Sequence, residues 1–276
     1  MTTPNLPNLS DILSLAAAAA RTAALTLRSL HSSRAFSPHL RLPHDVKLSA
    51  DLEAEHIICD LIRSHRPYDG FLAEERGHHS LHADAVWIID PLDGTVNFSH
   101  GHPHFAVSIA WAWQRITYVA VIYDCYRDEL YSAIRGHGAF CNEKPIRSAT
   151  TSALSDAMIA TGFGKASPAS AASHLLTRLA PHVQKIRISG SAALDLAFVA
   201  AGRLDAYLES EISIWDIAAG ALLVEEAGGH CLTFYTNTPR QRRCLAAAPH
   251  LLPHLLQLLN LNPSDCARTC FDDRDY

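Results

Sequence analysis

Hydrophobic and polar positions divide this chain into recognisable stretches. Residues 9–30, LSDILSLAAAAARTAALTLRSL, are apolar but broken by Asp11, Arg21 and Arg28. Alanine is the strongest helix former, so this stretch predicts an amphipathic opening helix with Ser10 as its N-cap. A loop rich in Pro, Ser and His follows over 32–44. In ADLEAEHIICDLIRSH (50–65) helical spacing lets Leu52, Ile57, Ile58, Leu61 and Ile62 share one face, and Pro67 ends the helix. Short strand-like runs come next: FLAEE, AVWIID, FAVSIAWAW, TYVAVIYD and ELYSAIRG. Their brief connections predict an antiparallel sheet. From about residue 150 strands alternate with helices. AMIAT precedes a Ser/Ala helix, KIRIS precedes SAALDLAFVAAG, and DAYLE precedes WDIAAGALLVEEAGG, which is the order of an α/β unit. The pattern therefore predicts an α+β lobe over 1–147 and an α/β lobe over 148–262. A loosely held polar tail is expected over 263–276.

A length of 276 residues allows one large domain or two coupled lobes. Apolar residues at 48% and charged residues at 18% are ordinary for a globular protein. The net charge of −5 lacks the basic footprint of a nucleic-acid binder. An anionic substrate would therefore need a cation to bring it in. Seven cysteines (59, 125, 141, 231, 244, 266 and 270) are odd in number and scattered, without disulfide or zinc spacing. They read as thiols of a reducing compartment, with the cytoplasm expected. The opening helix is too short and too interrupted for a membrane span or a secretory signal. Most of the 17 histidines sit in loops such as GHHSLH and SHGHPH. Their irregular spacing reads as solvated loop histidine rather than as a metal-binding tract.

The chemistry concentrates in VWIIDPLDGTVNF (86–98). Trp87, Ile88 and Ile89 read as a buried strand with Asp90 at its carboxyl end. Pro91 stops the ladder, and a turn through Leu92-Asp93-Gly94 lets Asp90 and Asp93 converge. Two carboxylates and the Leu92 carbonyl form a donor set for a hard cation such as Mg²⁺. Gly94 permits close backbone approach, free N–H groups after it suit a phosphate, and Thr95 adds a hydroxyl. Asp-Gly is also a common hairpin turn. Glu74 and Glu75 end another strand-like run, where alternation sends one of them to each side. Asp216 opens the helix that Gly228 and Gly229 close, and Asp51 sits early in its own helix. Both positions also suit a plain first-turn acid.

WIIDPLDGTVNF together with WDIAAGALLVEEAGG resembles the inositol monophosphatase family, metal-dependent and lithium-sensitive phosphatases. GHGAFCNEKPI (136–146) and SGSAALDLAFVAAGRLDAYLE (189–209) match further family segments, and the resemblance runs from about 45 to 260. It implies a layered αβαβα sandwich of the inositol monophosphatase and fructose-1,6-bisphosphatase type. It implies that Glu74, Asp90 and the Leu92 carbonyl hold a first Mg²⁺. Asp90, Asp93 and Asp216 would hold a second, and Glu74 would help with a third. Thr95, paired with Asp51, would orient water, with Glu74 also counted among the catalytic acids. Gly94 and Thr95 would hold phosphate. Asp93, the Gly190-Ser191-Ala192 segment and Glu209 would meet substrate hydroxyls. The implied activity is hydrolysis of a small sugar or polyol phosphate, inositol 1-phosphate first, by a homodimer.

Two features complicate the resemblance. In DVKLSAD (45–51), Lys47 and Leu48 replace the usual Val and Thr. Lys47 could bridge to Asp51, contact an anion or lie in solvent. TVNF argues for the monophosphatase branch. The DGT frame also serves fructose-1,6-bisphosphate, 3′-phosphoadenosine 5′-phosphate and histidinol-phosphate hydrolases, so substrate choice stays open.

Overall fold

The computed structural model describes residues 6–42, 45–163, 169–267, 269 and 271. The chain opens with helix α1 (Leu9–Ser33). Strands β1 (Pro38–Leu42) and β2 (Asp45–Leu48) pair with each other, and α2 (Ser49–His65) follows. Next come β3 (Gly70–Ala73), β4 (Gly77–His79), β5 (Ala85–Asp93) and the short α3 (Thr95–His100). Strands β6 (Ala106–Trp113), β7 (Ile116–Asp124), β8 (Glu129–Ile134), β9 (Ala139–Cys141) and β10 (Lys144–Pro145) complete the first sheet. The second half runs β11 (Met158–Thr161), α4 (Ala169–Leu179), β12 (Lys185–Arg187) and α5 (Ala192–Ala200). It continues through β13 (Ala206–Ser213), α6 (Ile214–Glu226), β14 (His230–Tyr235), β15 (Gln241–Ala247) and α7 (Leu252–Leu259).

Two sheets result, eight strands in the order β10-β9-β8-β7-β6-β5-β3-β4 and five in the order β12-β11-β13-β15-β14. Strand alternation builds the layers between them. Trp87 and Ile89 of β5 pack with α1 and α2, through Ile12, Leu27, Ile58 and Ile62. Val86 and Ile88, the intervening residues, pack with α5 and α6 and with Tyr207 and Ala246 of the second sheet. The outer face of that sheet, Ile159, Leu208 and Leu245, packs on Leu179 of α4 and Leu255 of α7. The layering is αβαβα, as the family resemblance implies.

Several local expectations change. Asn8, not Ser10, caps α1, accepting the Ser10 N–H at 3.1 Å. An Asn side chain two residues earlier serves the orphan amides of the first turn. The loop expected over 32–44 contains β1. The first sheet is antiparallel except for β3 beside β5, which is parallel because β4 folds back along β3 and returns the chain to the end at which β3 began before β5 starts. The buried face of α2 is Ala50, Ala54, Ile58 and Ile62, with Asp51 and Glu55 buried beside them, while Leu52, Ile57 and Leu61 are half-buried. The face turned inward thus includes acids, which apolar periodicity does not register. The hairpin β14–β15 lies where the sequence pattern had suggested no strands. Finally, two described residues beyond 266 pack on the body of the chain. Ala267 N–H donates to Thr233 O at 2.7 Å, and Phe271 is only 1% exposed within the layer under α6.

Among the described residues no helix is long and apolar enough to cross a membrane. The six described cysteines are free thiols, and Cys270 lies outside the described residues.

Candidate active site

Alternation along β5 continues past its apolar residues. Val86 and Ile88 face α6, and Asp90 is the next residue of that series. It therefore projects toward the amino end of α6, where Asp216 lies. Asp216 caps that helix, its Oδ2 accepting the Ser213 N–H at 3.3 Å. The parallel strand β3 follows the same rule. Leu72 faces α6, Phe71 and Ala73 face α2, and Glu74 comes next on the α6 side. Its N–H donates to Ile89 O at 3.3 Å, which seats it beside Asp90. One carboxylate oxygen each of Glu74, Asp90 and Asp216 lies within 4.8 Å of the others.

Asp90 is 1% exposed. Burial pushes its carboxyl well above the usual range, and the charges of Glu74, Asp216 and Asp93 push it further. Three carboxylates so close cannot all be ionised without a compensating cation. The donor set is all oxygen, and the pressure on Asp90 is that of carboxylates crowded without a counter-charge. Both features fit a hard divalent ion.

The turn after Asp90 is a bulge: Asp90 pairs with Ser108 but Asp93 with Ala106, so β5 has one residue more than β6. Pro91 has no N–H to offer the ladder there. Asp90 Oδ1 accepts the Leu92 N–H at 2.9 Å. Gly94 then takes φ +92 as the N-cap of α3. A Cβ at that position would sit 2.9 Å from the His104 carbonyl oxygen, so both conformation and space require glycine. The Thr95 hydroxyl is 2.9 Å from Leu92 O and 3.0 Å from Asp51 Oδ1, and its one proton can serve either. Asp51 itself accepts the Leu48 N–H at 2.9 Å. Burial raises its carboxyl to about 7, opposed by the Leu48 N–H and reinforced by Glu74 and Glu75.

Asp93 points elsewhere. Its Oδ2 accepts the Ser191 hydroxyl and, at 2.8 Å, the Ala193 N–H at the start of α5. The structure brings Glu74, Asp90 and Asp216 into one cluster and sets Asp93 between that cluster and the second half of the chain. Gly190 and Ser191 approach from that half. The Asn97 amide donates to His104 O at 2.8 Å and Ser189 O at 2.9 Å, tying α3 to the segment before α5. Glu209 closes the far side, with Oε2 accepting the Tyr207 hydroxyl at 2.6 Å.

These residues line a cavity of about 250 Å³. Glu74, Asp90, Leu92, Asp93, Gly94, Thr95, Gly190, Ser191, Ala192, Glu209 and Asp216 all reach it, and Asp51 stands behind Thr95. Six carboxylates line this cavity, counting Asp195, and none of its described lining residues is Lys, Arg or His. A larger cavity of about 480 Å³ lies on the outer face of the five-stranded sheet; it shares Glu209 but none of the clustered acids.

Sequence reasoning missed four contributors. Asn97 lay inside the quoted segment but carries no charge to draw notice. Asp195 is 3% exposed, accepts the Ser189 hydroxyl at 2.6 Å, and is raised by burial to about 7. Its signal was available, as a lone acid within the apolar helix AALDLAFVA. Glu55 is fully buried and accepts the Glu75 and Arg76 N–H groups at 2.8 and 3.0 Å. Tyr207 is fully buried and positions Glu209. Lys47 meets Glu75 at 2.7 Å.

The model of the inositol monophosphatase family matches residues 8–263. A Rhizobium meliloti protein called inositol-1-monophosphatase is 45% identical over 196 residues, covering 69% of this chain and 73% of its own. A Xylella fastidiosa protein called Nus factor SuhB is 45% identical over 192 residues, covering 69% and 70%. The crystal structure of the extragenic suppressor protein suhB from Bartonella henselae superposes with a TM-score of 0.83 at 36% identity, covering 90% of this chain and 98% of that one.

Proposed function

The chain belongs to the inositol monophosphatase family, and on that premise we propose that this phosphatase hydrolyses a small polyol or sugar phosphomonoester with Mg²⁺, inositol 1-phosphate being the first candidate. The observation that carries this reading is the cavity lined by six carboxylates and by no described cation. A phosphate dianion enters such a cavity only if metal ions reverse its charge.

Glu74, Asp90, Asp216, Asp93 and the Leu92 carbonyl are the groups assigned to two or three Mg²⁺ ions. When bound, these ions supply positive charge against the phosphoryl oxygens and lower the pKa of water. The Thr95 hydroxyl orients the attacking water, and Asp51 behind it receives the proton. Asp51 suits that task because its carboxyl is already held near 7. The Gly94 and Thr95 amides, in the first turn of α3 and without helical partners, hold phosphoryl oxygens. Ser191, Ala192, Gly190 and Glu209 orient the alcohol part through its hydroxyls, with Asp93 bridging the two ends.

A second reading, prompted by the equally similar relative called Nus factor SuhB, is a protein that acts by binding rather than by hydrolysis. The full set of acids favours the first reading, since a pure binding protein has no need to crowd Glu74, Asp90 and Asp216. The same proposal includes a homodimer acting in the cytoplasm, and two lobes meeting near residue 147. Light scattering on the purified chain tests the dimer.

The deciding experiment is phosphate release, with and without Mg²⁺, from inositol 1-phosphate, fructose 1,6-bisphosphate, 3′-phosphoadenosine 5′-phosphate and histidinol phosphate. Preference for inositol 1-phosphate supports the proposal. Preference for another member keeps the metals and moves the substrate. No Mg²⁺-dependent release from any of them favours the binding role.

A further inference from the structure

Lys47 is the feature of the site region that the proposed chemistry leaves unused. It stands on β2, and its Nζ lies 2.7 Å from Oε1 of Glu75. The Glu75 side chain is 4% exposed and that of Lys47 is 24% exposed, so this is a pair shielded from water. Alternation explains why Glu75 is available to it. The rule that sends Glu74 toward Asp90 and Asp216 sends Glu75 to the opposite side, toward α2. Glu55 of α2 holds the backbone there by accepting the N–H groups of Glu75 and Arg76, and the Glu75 side chain is held by Lys47.

Glu75 is nonetheless close to the acid cluster. It adjoins Glu74 in the chain, and its charge helps raise the Asp51 carboxyl. A buried carboxylate that loses its cationic partner is costly and needs another positive charge. Beside a cluster of carboxylates, the available replacement is a divalent cation bound through oxygen.

We propose that Lys47 is a built-in counter-ion that reserves Glu75, keeping it from acting as a metal ligand and so limiting how many divalent ions the acid cluster takes up and how tightly. The inference rests on the reading that Glu74, Asp90 and Asp216 hold metal. Lys47 is thus a positioning residue, acting through Glu75, and touches no substrate.

The test is Mn²⁺ binding to the full chain, followed by electron paramagnetic resonance and calorimetry without substrate. Wild type is compared with K47M, E75Q, K47M/E75Q and D90N. Removing the lysine frees a carboxylate, so K47M should take one further ion per chain or bind Mn²⁺ roughly ten-fold more tightly. E75Q removes one negative charge beside the cluster while keeping the lysine's positive one, and should bind roughly ten-fold more weakly. The double variant should return close to wild type. If K47M and E75Q both bind as wild type does, Lys47 does not govern metal uptake and the proposal fails. Should K47M not fold, E75Q and the double variant decide: weaker binding restored by removing Lys47 supports the proposal, and no difference between them overturns it. The premise is checked separately. Equal Mn²⁺ binding by wild type and D90N removes the metal reading itself, and the proposal with it.

Discussion

The Thr95 hydroxyl lies 3.0 Å from Oδ1 of Asp51, a residue 44 positions earlier that is 1% exposed. A strand–turn–helix and the first turn of α2 meet at this contact, and it pairs a hydroxyl with a carboxyl held near 7. If this pair handles the proton of the attacking water, D51N and T95A should each lower kcat by roughly 10²–10⁴-fold. Mn²⁺ binding should change little in either variant, because the clustered acids remain. An equal loss of metal affinity would assign the pair a structural role instead.

Asp90 carries the opposite signature. Its carboxyl is fully buried among like charges, so in metal-free protein it is a source of strain. D90N should leave the metal-free melting temperature unchanged or higher, and should abolish the rise that Mg²⁺ produces in wild type. Differential scanning fluorimetry with and without Mg²⁺ reads both. A melting temperature that still rises with Mg²⁺ in D90N would place the ion elsewhere.

Glu209 is held between Tyr207 and the chain at Gly162. A Cβ on Gly162 would fall 2.1 Å from Oε2 of Glu209. G162A should displace that carboxylate at a stability cost of about 1–3 kcal/mol. Y207F removes the hydroxyl that orients it, at about 0.5–1.5 kcal/mol. Both should raise KM for a polyol phosphate more than they lower kcat, since the hydroxyl contacts lie away from the reacting phosphorus. Steady-state kinetics on inositol 1-phosphate separates the two parameters.

His104 gives the chain a pH dependence of stability. Its ring is buried, Nε2 has no hydrogen-bond partner, and desolvation, helped by Arg127, lowers its pKa to about 4. The unfolded chain binds this proton near the ordinary value of 6.5 while the folded chain refuses it down to about 4. Stability contributed by the neutral ring is therefore complete above 6.5 and falls as pH drops through that window. H104F should flatten the fall in denaturant midpoint between those limits. An unchanged slope would assign the acid sensitivity to other groups.

Much of the site was legible before any coordinates. Asp90, Asp93, Gly94 and Thr95 sit on a turn whose Pro and Gly constrain the backbone locally, and Asp216 caps a helix three residues after Ser213. Such features depend on neighbours within one turn, so the chain itself displays them. The resemblance then chose Glu74 over Glu75, paired Asp51 with Thr95 and added Glu209, choices that no local pattern makes. The β14–β15 hairpin escaped notice because HCLTFY and QRRCLAA do not alternate cleanly, one edge being half-buried. The burial of Phe271 is not legible in a polar stretch because it depends on a gap between layers that distant residues form.

The sequence by itself determined where carboxylates end strands, where the backbone must turn, and which two segments mark the family. Those facts follow from steric limits on Pro and Gly and from the two-residue period of a strand. Only the tertiary structure decided that Lys47 takes Glu75 and that Asp93 reaches across to Ser191 and Ala193. The reason is electrostatic. The state and direction of a buried carboxylate are set by the charges and donors packed around it, and here these come from α2, α5 and α6, between about 20 and 140 residues away.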